Sequence, residues 1–484
     1  ETAFEVATGV TAKLNADTNG FGRFYKAYAS SEGKVEIRAK DGTNVDTSKI
    51  TVSQAVSNSI AYSTHNSTPP SEVVVTSPST QSTTYNTHSS TPPSAVVVTP
   101  AAVGDGVIDT NIISTAADGA YFVSTADIDG DGDIDVLSAS YLDDTVAWYE
   151  NNGSGAFTEH IISTAVYATY SVTTADVDGD GDMDVLSTSW NDDKIAWYEN
   201  DGSESFTEHT ITTAANGATS VTTADVDGDG DMDVLSTSFY DNKIAWYKND
   251  GSESFTAHTI TTAASAARSV TTADVDGDGD MDVLSASAND DTIAWYKNDG
   301  SGAFTEHIIS TGADYATSVT TADVDGDGDM DVLSASAVDD TIAWYQNDGS
   351  ENFTEQTIST TADGAYSVST ADVDGDGDMD VLSASSNDDT IAWYENDGSE
   401  NFTAHTITTV ADGAISVTTA DIDGDGNLDV LSASSGDDTI AWYDLNLTPT
   451  TGVSTLDFSS LGLNAGDRIT LNITGGSNVT GVIG

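Results

Sequence analysis

The sequence predicts an all-β protein: a seven-bladed β-propeller of 49-residue repeats, closed by a blade shared between its two ends, with small β-rich segments on either side. Three observations predict it. The string Ala-Asp-(Ile/Val)-Asp-Gly-Asp-Gly recurs with its first Asp at 127, 176, 225, 274, 323, 372 and 421, always 49 residues apart. Each unit holds four runs of about six residues, rich in Val, Ile, Thr, Trp and Tyr and bounded by Gly, Asp, Asn and Ser. Finally, Ile108–Thr115 reads as a fourth-strand sequence standing 19 residues before Asp127, as Phe157–Thr164 stands 19 residues before Asp176. The last repeat stops after its third strand, Thr439–Asp444, so the N-terminal piece supplies the missing outer strand and removes an open sheet edge.

In chain order, residues 1–60 alternate apolar and polar (Val35, Ile37, Ala39; Ile50, Val52) and predict a small β domain. Residues 61–106 are rich in Ser, Thr and Pro and read as an extended stalk. They contain a duplication 23 residues apart, Tyr62–Thr76 and Tyr85–Thr99. The propeller occupies 107–444. In its second repeat the predicted strands are Ser171–Asp176, Asp184–Ser189, Lys194–Glu199 and Phe206–Thr212, the last two joined by the hairpin signal Asn-Asp-Gly-Ser. Residues 445–484 form a C-terminal segment with a strand-like Arg468–Thr474.

The formal charge of −67 is concentrated. Residues 1–106 carry nine acids and seven bases, and 445–484 two acids and one base, which leaves 69 acids and five bases for 107–444. Such a surface repels phosphate backbones and anionic leaflets, which argues against nucleic-acid and membrane-surface partners. No apolar run approaches the roughly 20 residues of a membrane helix. With no cysteine, disulfides and thiolate metal sites are excluded.

Half of those 69 acids lie in the seven repeated loops. Numbered from its first Asp, each loop has carboxylates at positions 1, 3, 5 and 9, Gly at 4 and 6, and at position 7 an Asp that the seventh loop replaces with Asn427. Short carboxylates at alternate positions of a tight loop can point inward together, which suits the six to eight oxygen ligands of Ca²⁺ better than the smaller octahedral shell of Mg²⁺. Position 7 offers its carbonyl, so its side chain need not ligate. Position 12 is Ser138 where a helix–loop–helix calcium site needs Glu, and the flanks read as strands. The candidate residues are Asp127, Asp129, Asp131, Asp133 and Asp135; Asp176, Asp178, Asp180, Asp182 and Asp184; Asp225, Asp227, Asp229, Asp231 and Asp233; Asp274, Asp276, Asp278, Asp280 and Asp282; Asp323, Asp325, Asp327, Asp329 and Asp331; Asp372, Asp374, Asp376, Asp378 and Asp380; and Asp421, Asp423, Asp425, Asn427 and Asp429. One ion per repeat gives about seven Ca²⁺.

The loop, the 49-residue period and the Val-Leu that follows resemble the FG-GAP/VCBS repeats of integrin α-subunit propellers and of bacterial extracellular proteins. The resemblance covers about 107–444. The Phe-Gly and Gly-Ala-Pro signatures are not evident, so the bacterial branch is the nearer one. By position it implies ligands at Asp176, Asp178, Asp180 and Asp184 with the carbonyl of Asp182, and at the equivalents elsewhere. It also implies an extracellular or cell-surface location. The family includes adhesins, lectins and structural proteins, so fold analogy does not fix function.

Other recurring residues read as structural. His160, His209, His258, His307 and His405 lie one per blade on the fourth strand, too far apart to share a metal, and the Trp of Ala-Trp-Tyr reads as packing between blades. The positions that vary are Tyr141, Trp190, Phe239 and Tyr240, in the turn between second and third strands, with Tyr121, Tyr167, Tyr170, Tyr315 and Tyr366 near the crossings between blades. Those turns and crossings share one face of a propeller, and clustered aromatics there suit a glycan or protein contact. No nucleophile–base constellation appears, so the expectation is a non-enzymatic protein. Sequons at Asn66, Asn152, Asn352, Asn401, Asn446, Asn472 and Asn478 permit glycosylation. The function expected is that of an extracellular structural protein, a subunit of a surface filament that self-associates into a homopolymer through its terminal β segments; the alternative is a calcium-dependent lectin or adhesin that binds glycans at the propeller rim.

Overall fold

The computed structural model describes residues 108–445 throughout and, outside them, only ten short backbone strands within 25–99 and 454–483. Within 108–445 every element is a strand, in seven four-stranded antiparallel sheets. In the second blade the strands, from inside outward, are a (Thr169–Ala175), b (Asp184–Ser189), c (Lys194–Asn200) and d (Phe206–Thr212). The predicted strand edges hold to within two residues.

Sequence pattern explains each layer. Strand b, with its Asp-Val-Leu-Ser-(Thr/Ala)-Ser run, is buried at every position because both of its faces meet neighbouring blades. Strand d, Phe-Thr-Glu-His-Thr-Ile-Thr, mixes exposed and half-buried residues because one of its edges and much of its surface face solvent. The c–d pairing slips by one residue near the start of c, a bulge that recurs between Ile195 and Ala196 and at the matching place elsewhere.

Cohesion between blades comes from the tryptophans. Trp197 of the second blade is fully buried beside Leu186 and Ile195, in one cluster with Val221, Val234, Ala245 and Tyr247 of the third. The same grouping recurs around Trp295 and Trp344. Large flat side chains fill the wedge between twisted sheets with few rotatable bonds to freeze.

The ring closes as the sequence requires. Asp109–Ser114 pairs antiparallel with Thr439–Asp444, Trp442 opposite Asn111, and completes the seventh sheet as its outer strand. Of the flanking strands, Glu72–Thr76 pairs in parallel with Ala95–Thr99, and Ala61–Thr64 with Thr83–Thr87, each with the 23-residue offset of the duplication. Ser454–Asp457 and Val479–Ile483 pair with strands of 95–99 and 83–87 in the same chain. As domains, the segments 1–60, 61–106 and 446–484 lie outside the described residues.

Candidate functional site

The acidic loops join strand a to strand b at one end of each blade, and the chemistry of each loop position follows from its hydrogen bonds. At position 1 the Asp127 carboxylate accepts from the backbone N–H of Gly130 at 2.9 Å and of Gly132 at 3.1 Å, which curls the loop around it. Gly130 and Gly132 have φ of +75° and +97°, conformations that cost an L side chain strain, so glycine is required at both. Positions 3 and 5 accept from the N–H two residues on: Asp129 from Asp131 at 3.0 Å, Asp131 from Asp133 at 2.9 Å. At positions 3 and 5 one carboxylate oxygen thus serves the loop, whereas at position 1 both do.

Position 9 has a second task. Asp184 is buried, and its two oxygens accept from Asn200 N–H at 2.8 Å and Val177 N–H at 2.9 Å, tying the end of strand c to the start of the loop. The same clamp recurs at Asp135, Asp233, Asp282, Asp331 and Asp380. Burial pushes these carboxyls up, to about 6 at Asp184, about 7 at Asp135 and about 8 at Asp429, against the lowering effect of the backbone N–H groups. Position 7 points out of the loop: a Cβ on Gly202 would stand 2.3 Å from Asp182 Oδ2, so the c–d hairpin needs glycine for the Asp182 side chain to pack against it.

The donor set fits a hard divalent cation. One carboxylate oxygen each from Asp127, Asp129 and Asp135 lies within 4.8 Å of the others, and the same holds for Asp176, Asp178 and Asp184, for Asp274, Asp276 and Asp282, and for Asp225, Asp227 and Asp229. Oxygens at 2.3–2.6 Å from a shared Ca²⁺ lie at most about 5 Å apart. Oδ1 of Asp227, Asp323 and Asp421 is buried with no hydrogen-bond partner, a costly state for a carboxylate oxygen that a cation relieves. Asn427, alone in carrying an amide at position 7, donates from Nδ2 to Asp425 Oδ2 at 3.0 Å.

Neighbouring loops are linked by a residue that the sequence reading passed over. Asn200 Nδ2 donates to Met183 O of its own loop at 3.2 Å and to Ile128 O of the preceding blade's loop at 3.0 Å. Asn151, Asn249, Asn298, Asn347 and Asn396 repeat the link. The partner is 72 residues away, beyond any local pattern.

At the opposite end, where the b–c turns meet the crossings, the varying aromatics come together. Trp190 stacks on Tyr170 at 5.2 Å and 21° and lies 5.2 Å from Phe239 and 5.1 Å from Tyr240, while Tyr141 reaches Tyr121 at 5.8 Å and Tyr170 at 6.1 Å. Tyr240 and Tyr167 are 59% and 58% exposed. Beneath them the first turns of the inner strands carry Tyr121, Tyr170, Tyr366 and Arg268. Arg268 donates from Nη1 to the hydroxyls of Tyr170 and Tyr366 at 2.7 and 2.8 Å and from Nη2 to Tyr315 at 2.6 Å, and sits 5.2 Å above the Phe239 ring. Tyr121 completes the knot through its hydroxyl contacts with Tyr170 and Tyr366. Burial holds the Tyr121 phenol well above its usual value, so it stays neutral. Arg268, the only arginine in 107–444, was missed: where it stands the other blades carry Tyr, Thr or Ile, and a lone departure from a repeat has no period to reveal it.

The recurrent histidines are placed structurally. His209 stacks on Trp197 at 4.5 Å and donates from Nε2 to Glu199 at 2.8 Å, and His160 and His405 do the same with Glu150 and Glu395.

A family model described as FG-GAP-like repeat matches residues 127–187, 176–236, 225–285, 274–334, 323–383 and 372–432. No curated protein matches the chain. Among solved structures, BBS1N bound to ARL6DN is 11% identical, aligned over 71% of this chain and 97% of that one with a TM-score of 0.50, a likeness of fold alone. A lectin of Agrocybe aegerita that recognises non-reducing terminal N-acetylglucosamine is 17% identical over 71% of this chain and 87% of its own, with a TM-score of 0.45. A protein from Lactobacillus plantarum is 16% identical over 61% and 86%, with a TM-score of 0.47. The matched repeats span well over half the chain at the 49-residue spacing of its blades, and the chain belongs to the FG-GAP-like repeat family.

Proposed function

We propose that the chain is a non-enzymatic extracellular recognition protein whose propeller is stabilised by calcium and binds a glycan at its aromatic end. The observation that carries the proposal is the unbroken aromatic surface from Tyr141 through Tyr170 and Trp190 to Tyr240, floored by tyrosine hydroxyls and the Arg268 guanidinium. Sugars offer apolar C–H faces beside hydroxyl edges, and a site that combines ring faces with converging donors meets both. Calcium is supported by the oxygen-only loops and by the family, whose repeats commonly bind it and are typically extracellular and non-enzymatic. About seven ions, one per loop, is the count that the residue pattern supports.

A glycan array with the calcium-loaded chain tests the proposal. It expects specific hits that fall at least about tenfold in the Trp190→Ala and Tyr240→Ala variants, as for stacked aromatic contacts worth about 1.5 kcal/mol each. Hits that survive both substitutions contradict it. The filament reading rests on segments before 108 and after 445; filaments formed by the calcium-loaded chain under the electron microscope would favour self-association over glycan recognition.

A further inference from the structure

One position near the end of strand c differs between blades and faces the acidic loop of its own blade. It is Glu150, Glu199 and Glu395 in the first, second and sixth blades, Lys248 and Lys297 in the third and fourth, Gln346 in the fifth and Asp444 in the seventh. Lys248 Nζ pairs with Asp227 and, at 2.9 Å, with Asp229, the third and fifth positions of its loop. Lys297 pairs with Asp276 and, at 3.0 Å, with Glu351 of the next blade's hairpin. Gln346 Nε2 donates to Asp325 Oδ2 at 2.5 Å. In the first two blades the residue is instead a carboxylate, bonded to the histidine that stacks on its tryptophan.

In the third blade oxygens of positions 1, 3 and 5 converge, the latter two being those that Lys248 holds, while in the fourth, where Lys297 holds position 3 alone of its loop, those of positions 1, 3 and 9 converge as in the first and second.

We infer that this single position grades the seven loops in affinity for calcium, with Lys248 and Lys297 acting as internal cations that the ion must displace, so that the third and fourth blades fill last. The inference rests on the reading of the loops as calcium sites. The physical reason is charge: affinity in all-oxygen sites is tuned by the number of nearby carboxylates. An ammonium among those carboxylates both repels the divalent ion and gives up its own ion pairs when the ion enters. A glutamate there adds attraction.

The test is a calcium titration of the decalcified full chain by calorimetry, with native mass spectrometry counting ions. The wild type is expected to show two weak sites beside a stronger class. In the Lys248→Glu, Lys297→Glu double variant, which copies the first, second and sixth blades, those two sites tighten by about tenfold or more. The milder Lys248→Gln, Lys297→Gln variant, which copies the fifth blade, shifts them the same way by less and guards against misfolding. Lys243→Gln, a charge removed from the opposite end of the same strand where Lys243 pairs with Asp241 at 3.2 Å, leaves the titration unchanged. Seven equivalent sites in the wild type, or a weak class that both double variants leave alone, overturns the grading while calcium binding stands. A chain that binds no calcium overturns the calcium reading beneath it.

Discussion

Asn200 shows how a single side chain can matter to two blades. Its amide satisfies buried carbonyls of Met183 and Ile128 at once, and an apolar residue there strands both. The seventh repeat already makes that replacement, with Leu445 at the matching position. Asn200→Leu is expected to cost about 1–3 kcal/mol in urea unfolding of the calcium-loaded chain; an unchanged midpoint and slope would show that the link is dispensable. The clamp at position 9 leads to a pH dependence. Its carboxyls have folded-state values of about 6 at Asp184 and about 7 at Asp135, above the roughly 3.9 of an unfolded aspartate. Such a group contributes stability below pH ~4 and loses it as pH rises through the folded value. In excess chelator the melting temperature therefore falls from pH ~4 to pH ~8, and self-repulsion of the acidic ring acts in the same direction. A melting temperature that climbs over that window contradicts the assignment. At this scale the sequence revealed ligand types and spacing, because alternation within a nine-residue loop is local. It did not reveal the clamp of position 9, whose partners stand 7 and 16 residues away in the same blade, or the Asn links and Arg268, which depend on partners one or more blades away.

Single elements were the most legible. Strands a to d were readable because short runs rich in Val, Ile, Thr, Trp and Tyr are bounded by turn residues in every repeat, and the hairpin signal Asn-Asp-Gly-Ser placed the c–d turn. What the hairpin does for the loop was not readable. Gly202 has φ of +68°, and its missing Cβ is what lets Asp182 lie against it. Gly202→Ala combines a left-handed conformation, about 1–2 kcal/mol, with a clash against a loop residue. The expected result is a lower melting temperature and one weakened calcium site, read by the same calorimetric titration. A variant that binds and melts as the wild type does would separate the hairpin from the loop.

At the scale of the molecule, the ring joins two unlike ends. One carries seven loops whose carboxylates repel one another until a cation joins them, and the other carries an aromatic surface that differs from blade to blade. Closure was legible from a strand-length offset of 19 residues at the two ends, since a ring with a missing strand must find it elsewhere in the chain. The concentration of 34 of the ring's 69 acids in the loops was legible too, and it places about half of the ring's acidity in seven short segments. The aromatic end was only partly legible: Tyr141, Trp190, Phe239 and Tyr240 stood out as departures from the repeat, but their meeting over Arg268 required the ring's curvature. The central claim is that calcium in the loops holds this ring together. Thermal melting of the full chain with calcium and with excess chelator tests it most directly. The account predicts a melting temperature lower by about 10 °C or more without calcium, since several sites each contribute about 2–3 kcal/mol at a hundredfold excess over Kd. Superimposable melts would contradict it.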